Sequence, residues 1–230
     1  MKPPQISVII PVFNHEIELH QCLKSLVAQS FRDFEVVVVD DGSKKPVTLP
    51  DFVGDFEYPV MLVRQENGGA PCARNRGFDE SIASLVLFSD ADIVWEKDAL
   101  EKMYDALVKQ PNIDIVYSSF YFGFKKFMCG EFSREKLEEH NIFHTSSMMC
   151  REKFPRFDES LKRFQDWDLW LTMTEAGAKP FWISEYLFRV QPHAGGISTF
   201  IPSFLYRFSF LSTVKKYRAA ERIIRDKHGI

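Results

Sequence analysis

Three short stretches carry the residues with the most evident chemistry. Asp40-Asp41-Gly42-Ser43 follows the apolar run Glu35 to Val39, Asp90-Ala91-Asp92 follows Leu85-Val86-Leu87-Phe88, and Gly68-Gly69 precedes Arg74 and Arg76. Carboxylates set beside guanidinium groups and free backbone N–H groups are the ingredients for holding a divalent cation together with a phosphorylated ligand. Asp90 and Asp92 are two residues apart, so on extended backbone they share a face, and a turn at a strand end can bend both toward one ion. Mg2+ or Mn2+ suits such hard oxygen ligands, with one or two protein carboxylates and with water and phosphate oxygens completing the shell. Each stretch also has an ordinary reading. Asp-x-Asp and Asp-Asp-Gly-Ser are common turn sequences, and Arg74 has Glu66 and Asp79 nearby as plain ion-pair partners.

The elements that must position these residues alternate between strand and helix. Ile6 to Ile10 and Glu35 to Val39 read as buried strands closed by loops. Between them Asn14 is placed to cap a helix whose Leu19, Cys22, Leu23, Leu26 and Val27 fall on one face. The pattern continues with a strand at Val60 to Val63, a helix over about 70–83, a strand at 85–88, a helix over 98–109 and a strand at Ile113 to Tyr117. Such repetition predicts an α/β fold, a Rossmann-like, mainly parallel sheet with helices on both faces. Ligands collect beyond the carboxyl ends of strands in sheets of this kind, which is where the acidic stretches fall. After Tyr117 the rhythm breaks into a Phe-rich run from Phe120 to Phe127, and no clear element follows until about Arg163. That run suits either an acceptor site or plain core packing. Residues 163–176 predict a helix stopped by Gly177, and Phe181 to Ile183 a closing strand. Near the end, Phe204, Phe208 and Leu211 form one helical stripe, followed by Lys215, Lys216, Arg218, Arg222, Arg225 and Lys227. The segment suits a helix that covers the core, joins a homodimer, or lies peripherally on the anionic inner face of a membrane.

Composition narrows the partners. The 230 residues hold 45% apolar side chains, enough for a core without staples, and show no linker or internal repeat, so one continuous domain over 1–230 is expected. Lys and Arg number 29 against 32 Asp and Glu, and the formal charge of -3 gives no general electrostatic reason to bind nucleic acid. Cys22, Cys72, Cys129 and Cys150 form no C-x-x-C pair, which fits a reducing cytoplasmic setting. No run approaches the roughly 20 apolar residues of a spanning helix, so the chain reads as soluble.

The order of the motifs adds a resemblance. Ile6 to Asn14, Val38-Val39-Asp40-Asp41-Gly42-Ser43, Gly68-Gly69 with Ala73-Arg74-Asn75-x-Gly77, and Phe88-Ser89-Asp90-Ala91-Asp92 resemble, in sequence, the family 2 glycosyltransferases with the GT-A fold. Asp166-Trp167-Asp168-Leu169-Trp170 is similar to their later acidic motif, and His193-x-Gly195-x-x-Ser198 to a pattern near the end of the catalytic domain. The resemblance implies an inverting, metal-dependent transfer from a nucleotide-diphosphate sugar, a UDP-sugar first, to a hydroxyl of a glycan or lipid-linked acceptor in cell-surface polysaccharide synthesis. It implies a nucleotide-sugar-binding half over about 1–110, an acceptor-binding and catalytic half over about 111–200 and a C-terminal helical segment over about 201–230.

By residue, it implies that Pro11, Phe13 and Asp41 hold the nucleotide while Asp40 shapes the pocket, that Arg74 lies near the diphosphate or orients the acidic loop and that Asp90 lies near ribose or sugar. Asp92 would bind Mn2+ or Mg2+, His193 would add a metal or phosphate contact, and Asp166 would act as general base. Its competing reading is a carboxylate favoured by a helix N-terminus, with Trp167 and Trp170 as core and Asp168 pointing elsewhere on the helix. Gln165 stands where the family commonly has Glu, and no Gln-x-x-Arg-Trp follows, so the processive synthases are not matched. Two other enzymatic or signalling readings stay open, a sugar-phosphate nucleotidyltransferase and a receiver domain, together with a non-catalytic nucleotide binder.

Overall fold

β1 (Ile6–Val12) is apolar on both faces: Val8, Ile9 and Ile10 are fully buried, which places it at the middle of a sheet. The computed structural model describes residues 2–192 and 212–230. Around β1 lie β2 (Phe34–Asp40), β3 (Met61–Arg64) and β4 (Leu85–Phe88), in the order β3-β2-β1-β4, all parallel. The sheet then continues through β8 (Met148–Cys150), antiparallel to both β4 and β6 (Ile115–Phe122). β9 (Pro180–Val190) runs parallel to β6, and β5 (Ile93–Trp95) closes the edge antiparallel to β9. β7 (Lys125–Phe127) folds back on β6 as a hairpin.

Two cores sandwich the sheet. One face takes α1 (Glu16–Val27) and α3 (Ala99–Lys109), whose Leu19, Leu23, Leu26, Leu100 and Met103 pack against Val8 and Ile10. On the other, Ile9, Val86 and Phe88 meet Trp167 and Trp170 of α5 (Gln165–Glu175), Leu137 of α4 (Arg134–Glu139) and Ile224 of α6 (Ser212–His228). α2 (Ala70–Glu80) presses directly on β1 and β2, and its closeness rests on Gly77.

The structure corrects several expectations. Asn14 does not cap α1. Its φ of 61° is left-handed, its N–H donates to Ser43 Oγ at 2.9 Å, and its Oδ1 accepts from the Lys44 N–H at 2.8 Å. The loop after β2 thus takes the side chain that the helix would have used, and α1 starts at Glu16. α2 ends at Glu80, short of residue 83. The Phe-rich run is the β6–β7 hairpin. Phe120 stacks on both Phe127 and Phe188 at 5.2 Å, the packing alternative, whereas Phe124 at the tip is fully exposed.

α6 covers α5 with the inner side of its basic stretch. Arg225 lies 5.5 Å from the Trp167 ring and donates to the carbonyls of Glu138 and Glu139, while Lys227 and His228 both bond the buried Asp168. Asp168 therefore does point away from Asp166, into this tie. The Phe204, Phe208 and Leu211 stripe lies outside the described residues, among which no helix is long and apolar enough to cross a membrane.

A Cβ added at Gly77 would sit 2.4 Å from Ile9 Cγ2 and 3.2 Å from Val39 Cγ2, both on buried strand residues. Gly77→Ala is expected to cost about 1–3 kcal/mol by overpacking. Urea denaturation reads this as a lowered midpoint at unchanged slope; an unchanged midpoint would mean that α2 shifts freely off the sheet.

Candidate active site

At the carboxyl end of β2 two adjacent aspartates point into different networks, as alternating strand geometry dictates. Asp40, 1% exposed, accepts from the Ser43 N–H at 2.9 Å, the Val47 N–H at 3.2 Å and Arg64 Nη1 at 2.5 Å. Burial works to raise its carboxyl, but the Ser43 and Val47 hydrogen bonds and the Arg64 charge outweigh it and hold Asp40 below the usual carboxylate range. Asp41, also buried, accepts from Gln65 Nε2 at 2.8 Å and from the Gly68 and Gly69 N–H groups at 2.9 and 2.8 Å. Gly69 has φ 88°, a left-handed conformation that only glycine adopts freely, and it opens α2. The Asp41 N–H donates to the Val12 carbonyl at 2.9 Å, which sets Asp41 beside the end of β1, where Pro11 is half-buried and Phe13 is 43% exposed.

About one turn into α2, Arg74 reaches across the crevice. It does not pair with Glu66 or Asp79. It donates to Asp90 Oδ1 at 2.6 Å and to Gln165 Oε1 at 3.3 Å, and its guanidinium lies 5.2 Å from the Phe157 ring centre. Asp79 is taken by Arg156. Burial would raise the Asp90 carboxyl, yet the Arg74 charge, followed by that of His144, holds it below its ordinary value. Asp90 to Asp92 form the turn from β4 into β5: the Ile93 N–H donates to the Asp90 carbonyl at 3.1 Å and the Gln191 N–H to the Asp92 carbonyl at 2.9 Å. Among the described residues no three His, Cys, Asp or Glu side chains converge as a metal cage. Asp92 brings to this turn a hard carboxylate oxygen, the donor type that suits Mg2+ or Mn2+ completed by water and phosphate.

Asp166 sits in the first turn of α5, next to Gln165 and hence next to Arg74. Its Oδ2 accepts from Asn141 Nδ2 at 2.7 Å and its Oδ1 from the Trp167 N–H at 3.0 Å. Burial pushes this carboxyl up, the charges of His144 and Arg74 only partly opposing it. His144 faces Asp90, Asp166 and Arg74; burial pushes its pKa down, and the charges of Asp90 and Asp166 partly oppose it. Its Nδ1 accepts from the Ser146 N–H at 3.1 Å, which in the neutral ring leaves the proton on Nε2.

A chain of contacts thus joins the expected residues. Asp41 holds Gly69, α2 carries Arg74, Arg74 meets Asp90 and Gln165, and Asp166 follows on α5. His193 lies outside the described residues. Sequence reasoning missed Asn141 and His144, both in the stretch without periodicity; the only local signal was the polar run His144-Thr145-Ser146-Ser147 between Phe143 and Met148.

A Rossmann-like sheet with acidic turns beyond its strand ends and a second mixed half behind them is the GT-A architecture of nucleotide-sugar-dependent transferases. The solved structure of Staphylococcus aureus TarS 1-349 in complex with UDP-GlcNAc superimposes with a TM-score of 0.70 at 21% identity over 88% of this chain and 64% of that one. The mannosyltransferase PcManGT of Pyrobaculum calidifontis, in complex with GDP-Man and Mn2+, gives 0.62 at 21% over 85% and 59%. The chain belongs to glycosyl transferase family 2, whose model matches residues 7–168. The amylovoran biosynthesis glycosyltransferase AmsB of Erwinia amylovora is 30% identical over 213 residues, 81% of this chain and 69% of AmsB. Against three other curated relatives the chain spans 17%, 37% and 58% of their length. Family membership places the chain among the glycosyltransferases and sets aside the receiver and nucleotidyltransferase readings.

Because Asp40 is more acidic folded than unfolded, its stabilising contribution is complete above the unfolded carboxylate value, about 3.9, and is lost as pH falls through the lower folded value. Asp40→Asn should therefore destabilise the protein by about 1–3 kcal/mol at pH 7 and flatten its acid dependence. Urea titrations from pH 7 down to 3 check both, and an acid slope equal to that of the parent would remove Asp40 from this role.

Proposed function

We propose that the protein transfers one sugar per encounter from a UDP-sugar to a hydroxyl of a glycan or lipid-linked acceptor, with inversion, in cell-surface polysaccharide synthesis. The observation that carries this reading is the placement of Asp166: a half-buried carboxylate at a helix start, linked through Gln165 to the Arg74–Asp90 pair at the strand ends. Family membership, the AmsB name, and the UDP-GlcNAc and GDP-Man of the two structural neighbours support the donor class.

In this reading Phe13 lies against the base and Asp41 borders it, using the acceptor capacity left beyond Gln65, Gly68 and Gly69. Arg74 steadies Asp90 beside the ribose or sugar. Asp166 accepts the proton of the attacking hydroxyl while the new bond to the anomeric carbon forms and the bond to the diphosphate breaks on the opposite face, which inverts the centre. Asp92, with His193 as a further contact, would hold Mn2+ or Mg2+, whose chemistry there is Lewis-acid neutralisation of the departing diphosphate.

Asp166→Asn should lower turnover by ~10²–10⁴, about 2.7–5.5 kcal/mol of barrier, with nucleotide binding retained. Because burial raises Asp166, the acid limb of the parent's rate profile should lie above the ordinary carboxylate range, and activity should fall as pH drops through it. Full transfer by the mutant would end this assignment. Asp92→Ala should weaken UDP binding in the presence of Mn2+ and leave metal-free binding unchanged; calorimetry with and without Mn2+ separates the two, and equal loss in both would argue against a metal at Asp92.

A further inference from the structure

Three buried polar side-chain atoms among the described residues have no hydrogen-bond partner, Arg74 Nε, Asn141 Oδ1 and Ser146 Oγ: Asn141 touches Asp166, Arg74 faces it, and the Ser146 N–H bonds His144, which also faces it. A buried acceptor left unpaired is costly, so a side chain present only to stabilise the fold would have both ends of its amide bonded. Asn141 has one end bonded, and that end donates to Asp166 Oδ2 at 2.7 Å. Its placement is enforced by the two tryptophans on the inner face of α5. Trp167 Nε1 donates to the Leu137 carbonyl at 2.6 Å and Trp170 Nε1 to the Phe143 carbonyl at 3.2 Å, so the segment carrying Asn141 is pinned on either side to the helix that carries Asp166.

We propose that Asn141 is the positioning residue of Asp166, fixing the carboxylate's rotamer and favouring its ionised form by donating to Oδ2. The inference rests on the reading of Asp166 as the base. Opposite a carboxylate only the amide nitrogen can face Oδ2, so the amide orientation is set by the charge it serves. The other groups facing Asp166 are the Trp167 N–H, His144 and Arg74, with Asp90 behind Arg74. Arg74 and His144 act across a gap. Asn141 and the Trp167 N–H touch the carboxylate itself, and each holds one oxygen.

The test is carboxyl-13C NMR of protein labelled at aspartate, with the Asp166 signal assigned by its loss in Asp166→Asn. Asn141→Leu, close in volume and without polar atoms, should move the Asp166 titration midpoint to higher pH. Asn141→Asp, which sets a carboxylate where the donor was, should move it further in the same direction. Both variants should keep a cooperative thermal transition, and Asn141→Asp serves if the Leu variant fails to fold. A midpoint unmoved in the folded variants would overturn the proposal. In turnover, Asn141→Leu should lose about tenfold at neutral pH and regain much of it at higher pH, a recovery that a merely structural lesion would not show. Transfer retained in Asp166→Asn would instead overturn the base assignment and leave the titration result standing.

Discussion

The Arg74 guanidinium is the contact on which the site depends. It is 6% exposed, and a buried cation is tolerated only when charge and hydrogen bonds answer it. Asp90 supplies the charge at 2.6 Å, Gln165 a neutral acceptor at 3.3 Å and Phe157 a ring face. Those partners come from β4's terminal turn, from the start of α5 and from the loop before it. One side chain thus fixes the distance between the parallel half of the sheet and the helix that carries Asp166. The Glu common in the family at position 165 would place a second carboxylate on this cation. Gln165 leaves Asp90 as the sole anionic partner of Arg74 among the described residues.

α5 is held from both sides. Trp167 and Trp170, three residues apart, share its inner face and are fully buried, and their indole N–H groups find carbonyls at Leu137 and Phe143. On the other side Asp168 accepts from Lys227 and His228 of α6. The acidic motif Asp166-Trp167-Asp168 therefore divides its labour: one carboxylate faces the crevice, the indole anchors the helix, and the second carboxylate ties down the C-terminal helix. In the proposed reading, a motif that looks like one chemical unit is one chemical residue and two structural ones.

Periodicity made the first half legible. Near-continuous β-branched runs can only be buried strands, and the acidic turns at their ends follow from topology, so Asp40, Asp41, Asp90 and Asp92 fell where expected. The failures have physical causes. Asn14 had the type of a helix cap, but the loop after β2 offered a competing N–H at Lys44. β5, β7 and β8 are three residues each, too short for an alternation to register. The resemblance pointed to Asp166, yet Asn141 and His144 stayed hidden. They sit in irregular backbone whose position is set by tryptophans more than twenty residues away, and no local spacing encodes that.

The three donors that hold Asp41 have a thermodynamic consequence. With Gln65, Gly68 and Gly69 already on its carboxylate, the wall between β2 and α2 is frozen before any guest arrives. A newcomer there spends none of its affinity on ordering that wall, and recognition at this end of the crevice is a matter of shape already cast.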